Sequence, residues 1–209
     1  MKKLIFFVVL LALAAGGYYY YNSFKSGPNY ALLQAAAATR THDLAAFERY
    51  VDVDALTSHL VDDVANQGSI LTSLVPGGSL AVNGALRFLK PQLAKAAHKE
   101  VQRYIETGSL AAATSAAPKR LVNLSLTSLA GRVVGADSQF KGIKYTTEKG
   151  DEALVGLEFT QPKYDTTMVL EVKLLKQADD HWQVKEITNT ANLLRGVAHL
   201  EKNRLVGSH

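Results

Sequence analysis

The side chains of this chain that could do proton-transfer or metal chemistry are its six histidines and the carboxylates beside them. His42 and Asp43 form a histidine–carboxylate pair, the usual currency of general acid/base catalysis. Adjacent residues seldom face each other, however, and Asp43 stands where a helix needs an N-cap, so its expected role is capping. His59, Asp62 and Asp63 are spaced by three and four, which puts them on one helical face and could begin a metal site. Zinc normally takes a third protein ligand, and none lies nearby, so a solvated polar face is expected instead. Asp179-Asp180-His181 falls at a predicted turn, where aspartate serves the backbone. His98 and Glu100 point to different sides of their helix. Gly77-Gly78-Ser79 could offer amides to a phosphate, but no Walker lysine or preceding strand accompanies it. There is no GxSxG elbow, and the absence of cysteine removes thiolate nucleophiles, thiolate metal sites, disulfides and a lipoprotein anchor. No catalytic, metal or cofactor-binding residue and no cofactor is assigned on these grounds, and the chain is expected not to be an enzyme.

The elements that would position such residues begin with an export signal. Lys2 and Lys3 precede the apolar run 4–15, and Gly16, Gly17 and Tyr18 to Tyr21 extend the low-charge stretch to position 21. Residues 4–21, at about 1.5 Å each, span roughly 27 Å, enough for a bilayer core. The lysines should remain cytoplasmic and the tyrosines should sit at the outer interface. The predicted organisation is a transmembrane signal anchor over 1–21, a linker over 22–28 and a single exported α+β domain over 29–209. The expected location is a bacterial inner membrane, single pass, with the domain in the periplasm. Ala12-Leu13-Ala14 has the small-x-small pattern of a cleavage site, which keeps open a signal peptide and a free periplasmic protein. The net charge of +4 includes Lys2 and Lys3, leaving about +2 spread without a basic block. Nucleic acid is therefore not an expected partner.

Within the domain, Pro28 should start a helix with Tyr30, Leu33 and Ala37 on one face. Asp43 and Asp52 should cap two more helices, the second striped by Val53, Leu56, Leu60 and Val64. Residues 68–90 are apolar and glycine-rich, with Arg87 and Lys90 the only charges, and Pro76-Gly77-Gly78 breaks any helix there. Pro91 should open a long helix to about Thr107 with Leu93, Ala97, Val101, Tyr104 and Ile105 on one stripe. Residues 121–134 resume helical spacing up to Gly135. From Gln139 the period turns strand-like: two strands joined at 148–151, a third carrying Met168, Leu170, Val172 and Leu174, and a fourth carrying Trp182 and Val184. A last helix should run from about Asn192 to Leu205. Helices first and an antiparallel four-stranded meander afterwards predict an α+β domain, the helices covering one sheet face.

The stretch YALLQAAAATRTHDLAAFERYVDVDAL, through Tyr30-Ala31-Leu32, His42-Asp43, Phe47 and Tyr50-Val51-Asp52, resembles the opening of an exported bacterial family known as domain of unknown function 2939. The element order is similar to the cone-shaped, nuclear-transport-factor-like layout. The resemblance implies export and no reaction. Residues 68–90 read either as a pair of core helices or as a lid or wall of the apolar cavity that cone-shaped folds often enclose, whose lining here would be Leu74, Phe88, Tyr104, Tyr145 and Trp182. Three functions follow: a non-catalytic tethered envelope protein binding a partner protein or apolar ligand, a lipid carrier or sensor, or a cryptic enzyme using Tyr, Asp or His in the cavity.

Overall fold

The computed structural model describes residues 26–66, 82–115 and 137–206. The expected membrane run, its tyrosine belt, residues 67–81 and the expected helix over 121–134 lie outside them. Among the described residues there are six α-helices and one four-stranded antiparallel sheet, an α+β architecture. None of these helices is long and apolar enough to cross a membrane.

Helix α1 (Pro28–Thr41) starts at its proline, whose missing N–H and fixed φ suit a first turn, and ends at His42 in the left-handed region, φ 57°. Its buried side is Ala31, Ala35 and Ala38, not the expected face of Tyr30, Leu33 and Ala37; Leu33 is 52% exposed. The reason is space. The helix touches β4 and β2 as well as the later helix α4, and a stripe of methyl groups lets backbones approach where leucines would hold them apart. Asp43 then caps α2 (Leu44–Tyr50), its Oδ1 accepting the Ala46 N–H at 2.9 Å.

Asp52 caps α3 (Val53–Asn66) in the same way, through the Ala55 N–H at 2.9 Å. It does more than Asp43. Its own N–H donates to the Val184 carbonyl at 2.9 Å, and Val51 forms a one-residue parallel bridge with Val184. Lys185 Nζ donates to the second carboxylate oxygen at 2.7 Å. Burial works to raise the Asp52 pKa, but the Ala55 amide and the Lys185 ammonium outweigh it and hold it below the usual aspartate value.

Helix α4 (Val82–Thr107) corrects the expected start at Pro91: the proline sits inside a 26-residue helix. A proline there removes one i→i−4 hydrogen bond at a cost of about 3 kcal/mol, so packing must carry the continuity. The partners of α4 descend in number as its own ascend: Lys90 pairs with Asp62 at 2.7 Å, His98 lies 2.7 Å from Asp54, and Gln102 donates to Glu48 at 3.0 Å. That order makes α4 antiparallel to α3. The His98 contact is close but lacks hydrogen-bond alignment, so it counts as polar proximity. The expected stripe does face inward, with Ala97 and Ile105 buried and Leu93, Val101 and Tyr104 half-buried. Gly108, φ 65°, ends the helix, and a Cβ there would fall 2.5 Å from the His42 ring. That ring donates from Nδ1 to the Ile105 carbonyl at 2.8 Å. A short α5 (Leu110–Ser115) follows, its Ala112 N–H bonded to Ser109 Oγ.

Strands β1 (Phe140–Lys149), β2 (Glu152–Gln161), β3 (Thr166–Lys176) and β4 (Trp182–Ile187) lie in sequence order, each antiparallel to the next. A 3-10 turn, Pro162–Tyr164, links β2 to β3. Ala153, Val155, Val172, Leu174, Trp182 and Val184 pack with Ala31, Ala35, Val51 and Val53. A second cluster joins Phe159 to Leu193, Leu194 and Val197 of α6 (Thr190–Val206), which begins two residues before the expected Asn192. Helices α1, α3 and α6 thus cover one sheet face, and α4 rests on the helices.

Replacing Asp43 with alanine should cost about 1 kcal/mol, a lost cap, whereas Asp52→Ala should cost about 2 kcal/mol because it also leaves Lys185 without its carboxylate. Urea unfolding of the two variants checks the ranking, and equal losses would show that the Lys185 contact of Asp52 contributes nothing. Gly108→Ala should lower stability by about 1–3 kcal/mol, since it needs both a positive φ and displacement of the His42 ring. A melting curve matching the parent's would contradict that packing.

Candidate functional site

Of the five residues expected to line one cavity, Tyr145 and Trp182 lie on opposite faces of the sheet. Leu74 lies outside the described residues, as does the side chain of Phe88. Tyr104 is half-buried on α4. Trp182 is 4% exposed in the core, its Nε1 donating to the Ser26 carbonyl at 2.8 Å. Tyr145 sits on the opposite face of the sheet. It is 39% exposed, it lies over Gly156 so closely that a Cβ there would be 2.5 Å from its ring, and its hydroxyl donates to Glu171 at 2.6 Å. Thr188 donates to the other oxygen of that carboxylate. The Thr188 and Tyr145 bonds, in that order, hold Glu171 below the usual carboxylate range, and the bond to Glu171 pushes the Tyr145 phenol up.

The pairing of Tyr145 with outward Gly156 explains the separation, and two irregularities farther along β1 decide the faces of Gly142 and Ile143. Strict alternation would put Ile143 and Tyr145 on one face and Phe140 on the other. The ladder instead pairs Phe140 with Phe159, Gly142 with Glu158, Ile143 with Leu157 and Tyr145 with Gly156, so an extra residue enters at Lys141 and again at Lys144. Phe140 and Ile143 therefore share the helix-facing side with Phe159 and Leu157, while Tyr145 turns outward. Thr146, next on the inner side, bonds to Asn29 of α1 at 2.8 Å. Beyond that contact the inner face of β1 is open, with Phe140 65% and Ile143 39% exposed. This apolar ledge is the site that residue patterns missed; Gly142, at φ 138°, is its only local signal.

The polar candidates have structural work. His42 and Asp43 join helix ends as described. Asp62 pairs with Lys90. Asp63 carries a raised pKa, chiefly because burial disfavours its charge and secondly because Glu186 is near, with a bond from Thr190 and the proximity of His59 working the other way. Among the described residues no three His, Asp or Glu side chains converge as metal ligands. Asp179 and His181 contact each other, and His181 Nε2 donates to the Arg49 carbonyl at 2.9 Å while Gln183 Nε2 donates to that of Glu48 at 2.9 Å. Both are carbonyls of the last turn of α2, which lack intrahelical partners. Glu100 is buried on the inner side of α4, where sequence spacing alone gave no reason to expect it.

Glu201 of α6 draws the strongest polar cluster. Lys163 at 2.9 Å, the Tyr164 hydroxyl at 2.7 Å and Arg204 at 3.0 Å all donate to it, and in that order they hold its pKa at about 2. The cluster ties the β2–β3 turn to α6.

No family model, curated protein or solved structure matches this chain.

The signs of the two shifted carboxylates differ. Glu201 is depressed, so its contribution is whole above the ordinary glutamate value of 4.5 and is lost as pH falls toward about 2. Asp63 is raised, so its ionised form burdens the fold near neutrality and the burden lifts as pH falls through the raised value. Glu201→Gln should flatten the acid limb of a stability–pH curve and lose about 1 kcal/mol at pH 7, a screened value because Lys163 is half exposed. Asp63→Asn should instead raise the melting temperature at pH 7 by about 1–3 °C. Unchanged acid limbs in the first, or destabilisation in the second, would contradict these assignments.

Proposed function

We propose that this chain is a non-catalytic, membrane-tethered envelope protein whose α+β domain binds a partner protein on the helix side of its sheet, beside β1. The observation that carries this reading is the ledge of Phe140 and Ile143, left uncovered where the inner face of the other strands is packed. Contiguous exposed apolar groups on an otherwise covered face mark interaction surfaces. A phenyl ring 65% exposed is the rim of an open surface more than the wall of a pocket, since small-ligand sites enclose most of their ligand. That favours a protein over an acyl chain. The tether is supported by Lys2, Lys3 and the apolar run 4–21, and export by the resemblance of the opening helices. The lipid-carrier reading and the cryptic enzyme have no comparable support.

A photo-crosslinking phenylalanine analogue at position 140, used in intact cells, tests this reading. One discrete protein adduct is expected, and it should disappear when Ile143→Asp is added, while melting stays within about 0.5 kcal/mol because the position is partly solvated. Adducts with lipid, or none, would overturn it.

A further inference from the structure

We propose that the hollow beside the β2–β3 turn, on the side of the sheet away from the helices, is a binding site for a neutral, hydroxyl-rich ligand, a saccharide. The hollow measures about 620 Å³ and is open to solvent, a groove that would take one side of an oligomeric ligand and not enclose a small one. It is lined by Asp137, Gln139, Thr160, Asp165, Thr166 and Thr167, with Pro162 as the seventh residue. The chemistry of that lining narrows the ligand. Among the described lining residues there is no lysine, arginine or histidine, and two carboxylates would repel an anion. The one wholly apolar side chain among the described lining residues, Pro162, cannot hold an acyl chain. A hard cation such as calcium takes about six to eight oxygens, and among the described residues no third acidic or histidine side chain joins the two aspartates.

Hydroxyl groups suit what remains. A sugar hydroxyl donates and accepts at once, carboxylates accept only, and threonine and glutamine do both. The polar groups are also set in place. Thr160 and Thr167 face each other across β2 and β3. The Gln139 N–H donates to Thr160 Oγ1 at 2.8 Å, and the Thr160 N–H donates to the Gln139 carbonyl at 2.9 Å. With its oxygen accepting from the backbone, the Thr160 hydroxyl is left to donate its proton into the hollow. Neither Asp137 nor Asp165 enters an ion pair or side-chain hydrogen bond within the described residues. The site is independent of the β1 ledge, which lies on the other face.

Saturation-transfer NMR on the full chain in a sugar-free detergent, with EDTA present to exclude metal-mediated binding, tests the assignment. The probes are chitotetraose and maltotetraose at about 5 mM. At least one should show transfer, with a Kd on the order of 1 mM, weakened about tenfold by Thr160→Val/Thr167→Val and by Asp165→Asn. Asp137→Asn, at a solvent-exposed position, gives a further variant should the threonine pair disturb the strands. Absence of transfer from both probes, or transfer undiminished in every folded variant, would overturn the proposal.

Discussion

The N–H of Asp52 bonds to the Val184 carbonyl while its carboxylate holds both the first turn of α3 and the Lys185 ammonium, and this joint decides where the helices can go. With no cysteine to brace the chain, helices and sheet are joined by burial and by such contacts. Val51 enters the core beside Val184 and Trp182 at the same point. The bridge also occupies part of the β4 edge, which would otherwise present unpaired backbone groups. Because α3 starts at the sheet, it lies across β4, and α4 returns along it in the opposite direction.

The layering follows from side-chain size. Ala31, Ala35 and Ala38 keep α1 thin enough to touch the sheet and α4 together, and Leu33 is displaced to solvent. The α4 helix is tied at its flank by Lys90, His98 and Gln102, whose partners lie on α3 and α2. These exposed or half-exposed contacts add little stability individually, but they set register along two helices. At the far end, Phe159 and α6 close the inner face over β3. Among the described helices, α1 reaches the inner face of β1 through Asn29, and Phe140 and Ile143 beyond that contact stay exposed.

Much of this arrangement was readable from residue patterns because its causes are local. The change of period at Gln139, the caps at Asp43 and Asp52, and the inward residues of β2, β3 and β4 are each set by neighbours within a few positions. The misreadings have non-local causes. Leu33 outranks alanine on any hydrophobicity scale, yet clearance between layers selected the alanines. Pro91 is a good helix opener by itself, and only packing along α3 accounts for its place inside α4. The β1 irregularities matter most for the site. Nothing in FKGIKYTT shows that Lys141 and Lys144 are extra residues, because that depends on the register against β2. Each extra residue reverses the faces of those after it, so the two cancel beyond Lys144: Ile143 joins Phe140 on the inner face, and Tyr145 is outward because it pairs with Gly156.

The claim that Asp52 fastens the helices to the sheet is tested most directly by native-state hydrogen exchange at its own amide. If the joint opens only when the whole domain unfolds, the Asp52 N–H should exchange with the same opening free energy and denaturant dependence as the amides of Val172 and Leu174 in β3. Exchange of Asp52 through a low-energy, denaturant-independent opening, while those β3 amides stay protected, would show that the helices can leave the sheet without unfolding it and would contradict the account.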